Sequence, residues 1–427
     1  MTTNSTLSTP SERLRTLLQE DPDSLNEDPT WKALALVHPF PAPMSPSLAA
    51  TLISKTTEEG DIVLDPMAGS GTVPAAALAL GRTCYAMDID PLARMTIQLQ
   101  CGSHSTETLA TASKGVEARA REIRKDHTAL DRRFNRDFDE RTREFINLWF
   151  PVRVRRGLMA LWDAVDEATP SAARLPLKIA FSRVIIAKTA GSSWAIDLPH
   201  TRPHRREDKH VPDPLEKFPQ RVRELTARMK DRHETLNGAV LKLRGGDVRS
   251  LPYKDASVDF VLTSSPYANA IDYMRAHKFS LVWMGHSIPE LAGIRSKMIG
   301  AERGLAEFKP ELAWVEEHLP EVEPKSRVAV LRRFFDDMDT VVGELHRVLK
   351  PGGACVFVLG SSFVAGQVVD TPRLIAEIAE KRGFEHLDTV YRKVNPHRRS
   401  LPFPRARGKK AALGKRMDQE AIVALAR

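Results

Sequence analysis

One short span restricts the possible folds more than any other: residues 61–90 read DIVLDPMAGSGTVPAAALALGRTCYAMDID. An apolar run ends at Asp65, Gly69 and Gly71 stand in a turn, Thr72 opens an alanine-rich helix, and a second apolar run ends at Asp88. Strand, glycine turn, helix, strand is one βαβ unit, and its crossover has a single favoured hand. The unit predicts an α/β chain built on a doubly wound, mainly parallel sheet. It also prepares a ligand site. The glycines let a ligand approach the backbone, the helix N-terminus offers unpaired amides to an anionic group, and a carboxylate ending the second strand suits ribose hydroxyls.

The pattern points to a nucleoside-bearing cofactor. The dinucleotide spacing G-x-G-x-x-G is missing after Asp65, and no G-x-x-x-x-G-K-[ST] occurs in the span. This favours S-adenosylmethionine, whose amino-acid carboxylate suits the helix amides. Composition narrows the class further. A chain of 427 residues suggests two or three structural units, and 42% apolar with 28% charged residues is ordinary globular composition. No apolar run approaches the ~20 residues that span a bilayer. Cys84, Cys101 and Cys355 lack paired spacing, so neither a disulfide framework nor a zinc site is expected, and a reducing cytoplasm fits. No basic segment followed by an apolar run opens the N-terminus, so no secretory signal is expected. A net charge of +8 fits either a polyanionic partner or a generally solvated basic surface.

Four regions are expected along the chain. Residues 1–30 read as a loosely ordered lead-in, with short helical promise near Glu12–Gln19. Residues 31–104 hold the first part of the catalytic domain. Residues 105–236 are mainly helical and arginine-dense, a candidate target-recognition insertion. Residues 237–427 bring strand character back at AVLKLRGGD and VDFVLTSS, then a polar, helical excursion over 286–327. A long helix running into KPGG, the strand ACVFVLGSS, a further helix and a hairpin-like end follow.

Past the run Val258–Leu262 the chain reads TSSPYANAIDY, which sets Ser264, Ser265, Pro266 and Tyr267 just beyond a strand end. This segment resembles the Ser-Pro-Pro-Tyr signature of the amino-methylating DNA methyltransferases, above all the cytosine-N4 type, and DPMAGSGT resembles their cofactor loop. HPFPAPMSP, residues 38–46, is similar to the proline-containing motif that closes over the methionine end of the cofactor in members of the family. GGDVRSLPYKDASVDFVLTSSPY resembles the family's approach to the catalytic loop, and RVLKPGGACVFVLG a late helix-to-strand step of the wider methyltransferase class. Ser265 stands where the family pattern has its first proline.

The resemblance implies a Rossmann-like class I methyltransferase sheet with a largely helical insertion. It implies S-adenosylmethionine as cofactor, with Asp65, Ala68, Gly69, Gly71, Thr72, Asp88 and Ile89 as contacts and Asp247 reaching the adenine. The acceptor it implies is N4 of cytosine in DNA; adenine N6, an RNA base amine, or a silent cofactor-binding nucleic-acid binder are the alternatives. An exocyclic base amine is a poor nucleophile because its lone pair is delocalised. Acceptors at the Ser264 hydroxyl and Ser265 carbonyl would orient it, and Tyr267 offers a face for an extruded base. For target contact, Arg119–Arg143 and Arg202–Arg206 suit phosphates or, equally, internal ion pairs, because both signs interleave; the stretch 392–416 is more one-sidedly basic. His200, His204 and His397 have no metal-ligand spacing, so no metal is expected. A restriction partner is compatible with the resemblance.

Overall fold

The structure, a computed structural model, describes residues 8–20, 25, 36–187, 191–196, 198, 203–230, 239–266, 268, 272–301, 307–321, 326–364, 367–393 and 419–427. Helices α1 (Pro10–Glu20) and α2 (Pro46–Thr56) precede the expected unit of β1 (Ile62–Asp65), α3 (Thr72–Ala79) and β2 (Thr83–Asp88), with α4 (Pro91–Cys101) after it. There follow α5 (Thr106–Arg124), α6 (His127–Asp137), α7 (Glu140–Trp149), α8 (Val152–Asp166) and α9 (Arg174–Ile185). A two-stranded ribbon of β3 (Ala195–Ile196) and β4 (His204–Arg205) then separates α9 from α10 (Pro214–Lys230). The sheet resumes with β5 (Leu241–Gly245) and β6 (Val258–Thr263), followed by α11 (Met274–Leu281), α12 (Ile288–Lys297) and α13 (Ser326–Val348). The chain continues through β7 (Leu349–Leu359), a hairpin of β8 (Ser362–Val364) and β9 (Gln367–Val369), α14 (Thr371–Lys381), β10 (Glu385–Lys393) and β11 (Gln419–Ala426).

Seven strands form one sheet in the order β10-β11-β7-β6-β1-β2-β5. From β7 to β5 the neighbours pair in parallel, and β11 is antiparallel to both β7 and β10. This is the Rossmann-like methyltransferase sheet expected from the motifs. The inner strands β1 and β6 are mostly apolar and buried because both faces are covered, whereas the edge strands β5 and β10 alternate polar residues that stay exposed or half-buried. Consecutive residues point to opposite faces: Val63 packs with α1, α2 and α3, whereas Leu64 packs with α13 and α14. Helices α5–α10 share a separate core with Leu92 and Leu99 of α4 and with Phe279 and Leu281 of α11.

Two expectations are corrected. Residues 10–20 of the lead-in are not loosely ordered: Leu14, Leu17 and Leu18 of α1 are buried against the sheet layer, as is Leu25. Their spacing puts one apolar stripe on a polar helix, a pattern too short to stand out by composition. The strand expected at ACVFVLGSS starts earlier, at Leu349, before Pro351. There the register slips, Val258 facing Leu349 and Phe260 facing Ala354, so the intervening glycines are absorbed as an irregularity in the strand. All three cysteines are free. No described helix is long and apolar enough to cross a membrane.

Candidate active site

Strands β1 and β6 are neighbours whose chains leave their carboxyl ends in opposite directions, β1 toward β2 and β6 toward β7, which opens a crevice there. The crevice encloses about 890 Å³, open solvent included. Its walls contain Asp65, Ala68, Gly69, Thr72, Asp88, Ile89, Asp247, Ser264 and Pro266 among the residues singled out from sequence. Gly71 and Ser265 lie outside the lining, and Ser265 is buried. Tyr267 and His200, Arg202 and His397 fall outside the described residues, as does most of the basic stretch 392–416.

The glycine turn is braced from β2. Gly69 N–H donates to Asp88 Oδ2 at 2.8 Å, and Asp90 N–H donates to Asp88 Oδ1 at 2.8 Å. Gly69 has φ 43°, and a Cβ there would stand 2.9 Å from the Phe40 ring, so no larger residue fits without moving that ring. Gly71, at φ 81°, is the N-cap of α3, whose first amides face the crevice floor beside Ser70 and Thr72.

Asp65 ties the two loops together: it accepts from the Thr263 hydroxyl at the end of β6 (2.8 Å) and from Met67 N–H (3.2 Å). Burial pushes its carboxyl up to about 7, with the nearby Asp88 charge adding to the rise. Burial likewise pushes Asp88 up to about 6, helped by Asp90. Asp90 goes the other way. Despite its burial, the charge of His277 and the hydrogen bond from its Nδ1 at 2.6 Å hold that carboxylate below its ordinary range. Asp90 also caps α4 through Leu92 N–H at 2.8 Å, so α4 and α11 are joined behind the crevice.

Several lining residues had no assigned role from sequence. Phe40, from the proline-rich stretch, stacks on Tyr273 with ring centroids 4.7 Å apart and 26° between planes; both line the crevice. Behind them His38 makes a 2.8 Å hydrogen bond with Ser182 of α9. At the opposite rim lie Lys297, Met298 and Ile299, just past α12. The start of α12 was legible, since Ser287 and Glu290 make a capping box, but nothing local announces that its end reaches the crevice.

Asp247 stands at this rim with its carboxylate held by Arg249, Oδ1 to Nε at 2.9 Å and Oδ2 to Nη2 at 2.6 Å. Burial works against the charge, but the bonds and charge of Arg249 prevail and hold the group below its ordinary range.

Six of the arginines considered for phosphate contact are ion-paired. Arg119 pairs with Glu167, Arg124 with Asp213, Arg133 with Asp163, Arg136 with Asp137, Arg205 with Glu207 and Arg206 with Asp208. These pairs match the ion-pair reading of the interleaved charges. Exposed pairs contribute only ~0–1 kcal/mol, so a phosphate can still compete for those at the surface. No group of three or more metal-ligating side chains occurs among the described residues.

The family model for N6- and N4-type DNA methylases matches residues 12–98, which contain the glycine turn but not Ser264–Tyr267. The type II methyltransferase M.MvaI of Kocuria varians is 24% identical over 388 residues, 85% of this chain and 84% of the relative. M.BsoBI, a type II methyltransferase of Geobacillus stearothermophilus, is 22% identical over 389 residues, 77% of this chain and 74% of the relative. Among solved structures, the rRNA methyltransferase aviRa of Streptomyces viridochromogenes aligns at TM-score 0.31 and 12% identity, over 94% of each chain.

Proposed function

We propose that this chain, a member of the amino-methylating DNA methylase family, transfers a methyl group from S-adenosylmethionine to N4 of cytosine in DNA. One observation carries the reading: the glycine turn with its buried carboxylates and the Ser264–Pro266 loop border the same crevice at the switch point, so donor and acceptor share one space. The residues fit the cofactor. Asp65 is a buried carboxylate suited to its positive charges, Asp88 suits its ribose hydroxyls, the α3 amides suit its carboxylate, and Asp247 suits an adenine amine.

When bound, S-adenosylmethionine supplies an electrophilic methyl whose carbon–sulfur bond breaks with the electron pair going to sulfur. The chain's own part is orientation. In this reading the Ser264 hydroxyl accepts one hydrogen of the base amine and the Ser265 carbonyl accepts the other, aiming the nitrogen lone pair at the methyl. Tyr267 supplies the stacking face for the extruded base, and the amine proton leaves to water after transfer. Ser264 in place of an acidic or amide residue favours cytosine over adenine.

Purified protein incubated with labelled methyl donor and separate DNA and RNA pools, digested and analysed by mass spectrometry, tests this. N4-methylcytosine confined to DNA is the expected product. N6-methyladenine would move the target base, label in RNA would move the polymer, and binding without transfer would leave a silent binder. Ser264→Ala is expected to lower kcat by about 100-fold, as for loss of one preorganised transition-state contact. Its affinity for S-adenosylhomocysteine should stay within about threefold of wild type, since Ser264 then acts on the acceptor.

A further inference from the structure

Arg249 joins three parts of the crevice that are distant in sequence. Beyond its two bonds to Asp247, its Nη2 donates to the Lys297 carbonyl at 2.9 Å and its Nη1 to Asp337 Oδ1 at 2.5 Å. Asp337, on α13, is 2% exposed and takes Gly300 N–H at 3.2 Å and Arg333 Nε at 3.2 Å as well. One guanidinium therefore holds the wall after β5, the rim after α12 and the sheet-covering helix α13 in a single arrangement.

We propose that Arg249 is the positioning residue of the nucleoside end of this crevice. It fixes the direction of the Asp247 carboxylate and the distance between that carboxylate and the 297–299 rim, and Asp337 anchors the whole. The inference rests on the cofactor reading above. Left alone, an aspartate on a connecting loop samples several rotamers, and ordering it on binding costs affinity. A rigid planar fork removes that freedom in advance. Lysine cannot replace it, because a single ammonium does not bond a carboxylate through two parallel N–H groups and reach two further acceptors. The rim follows the same logic: the Lys297 carbonyl and Gly300 amide, three residues apart, are held by Arg249 and by Asp337, its partner, so the segment between them is pinned at both ends.

The test titrates two ligands into the full-length protein by calorimetry: S-adenosylhomocysteine, and methylthioadenosine, which keeps the nucleoside and lacks the amino-acid end. Arg249→Gln should weaken both by about tenfold or more, the scale of a lost charge-assisted contact set. Arg249→Lys should fall nearer to the glutamine variant than to wild type. Asp337→Asn, which leaves the Arg249–Asp247 pair in place, should weaken methylthioadenosine about threefold or more through the anchor alone. Activity measured across a cofactor series should show a raised KM for the cofactor with kcat within about twofold, because the contact is made equally in ground and transition states. Amide hydrogen exchange over residues 297–301 should quicken in each variant.

Unchanged methylthioadenosine affinity in Arg249→Gln, alongside normal wild-type binding, overturns the inference. So does a fall in kcat as large as the loss of affinity. Should Arg249→Gln not fold, Arg249→Lys and Asp337→Asn decide on the same readouts. If the wild type bound neither ligand, the cofactor reading would fail first and this inference with it.

Discussion

The two ends of the crevice keep the same side chain in opposite electrostatic states. At the glycine-turn end, Asp65 is buried and Asp88 half-buried, with hydroxyl and amide donors for partners, and loss of water around them raises both carboxyls, to about 7 and about 6. At the far rim, Asp247 is clasped by Arg249 and stays below its ordinary range. The first end holds in Asp65 a carboxylate that gains from a cation, because a positive ligand group supplies the charge partner that the protein withholds. The second end has its charge already answered and offers only directed hydrogen-bond acceptance. One end is arranged for charge, the other for shape and orientation.

The largest expected effect breaks this comparison if it fails. Asp65→Asn should weaken S-adenosylmethionine by about 30-fold or more, since a hydrogen bond or ion contact to a buried charge is worth ~1.5–3 kcal/mol. Methylthioadenosine, without sulfonium or ammonium, should change by less than about threefold. Equal losses for the two ligands in calorimetry would mean that the ends are not divided as described.

A pH series sharpens the same point. The folded-state value of Asp65, about 7, lies above its ordinary 3.8, so the native, unliganded protein holds a proton there that the unfolded chain has already lost. Stability from this group is therefore present below its ordinary value and declines as pH rises through about 7, and Asp65→Asn should melt higher than wild type at about pH 8. Cationic ligand favours the ionised form. Its binding expels that proton at low pH, and affinity for S-adenosylmethionine should tighten several-fold between about pH 5.5 and pH 8 while methylthioadenosine stays nearly flat. A flat profile for both ligands would contradict the buried, proton-holding state of Asp65.

A further effect is steric. Gly69→Ala puts a Cβ 2.9 Å from the Phe40 ring at a left-handed φ, so Phe40 must shift off Tyr273. Losing that stack and adding strain costs about 1–2 kcal/mol, which predicts a roughly tenfold weaker cofactor affinity. The double variant Phe40→Leu/Gly69→Ala should lose less than the sum of the two single losses if the contact is the cause; strict additivity would place the effect elsewhere.

What could be read in advance follows the range of the interactions. Asp65, Gly69, Gly71 and Asp88 belong to one strand–turn–helix–strand unit, so their spacing carries their placement. The Phe40–Tyr273 stack, the Asp90–His277 pair and the Arg249–Asp337 bond each join segments far apart in the chain, and no local pattern pairs those residues. The arginines of α5–α7 were ambiguous for a related reason. Interleaved charges show that ion pairs are available, but which acid meets which arginine depends on how neighbouring helices pack, as when Arg119 of α5 meets Glu167 at the end of α8.

By itself the sequence determined the βαβ opening, the parallel sheet it commits to, and the order of cofactor turn and catalytic loop, because backbone conformation and crossover handedness act over a few tens of residues. The tertiary structure alone decided that Thr263 bonds Asp65 across adjacent strands, that Ser264 and Pro266 line the same crevice as Asp65, and that Lys297, Met298 and Ile299 line it as well. Those outcomes depend on strand order and on side chains competing for the same buried partners. Three-dimensional packing sets both.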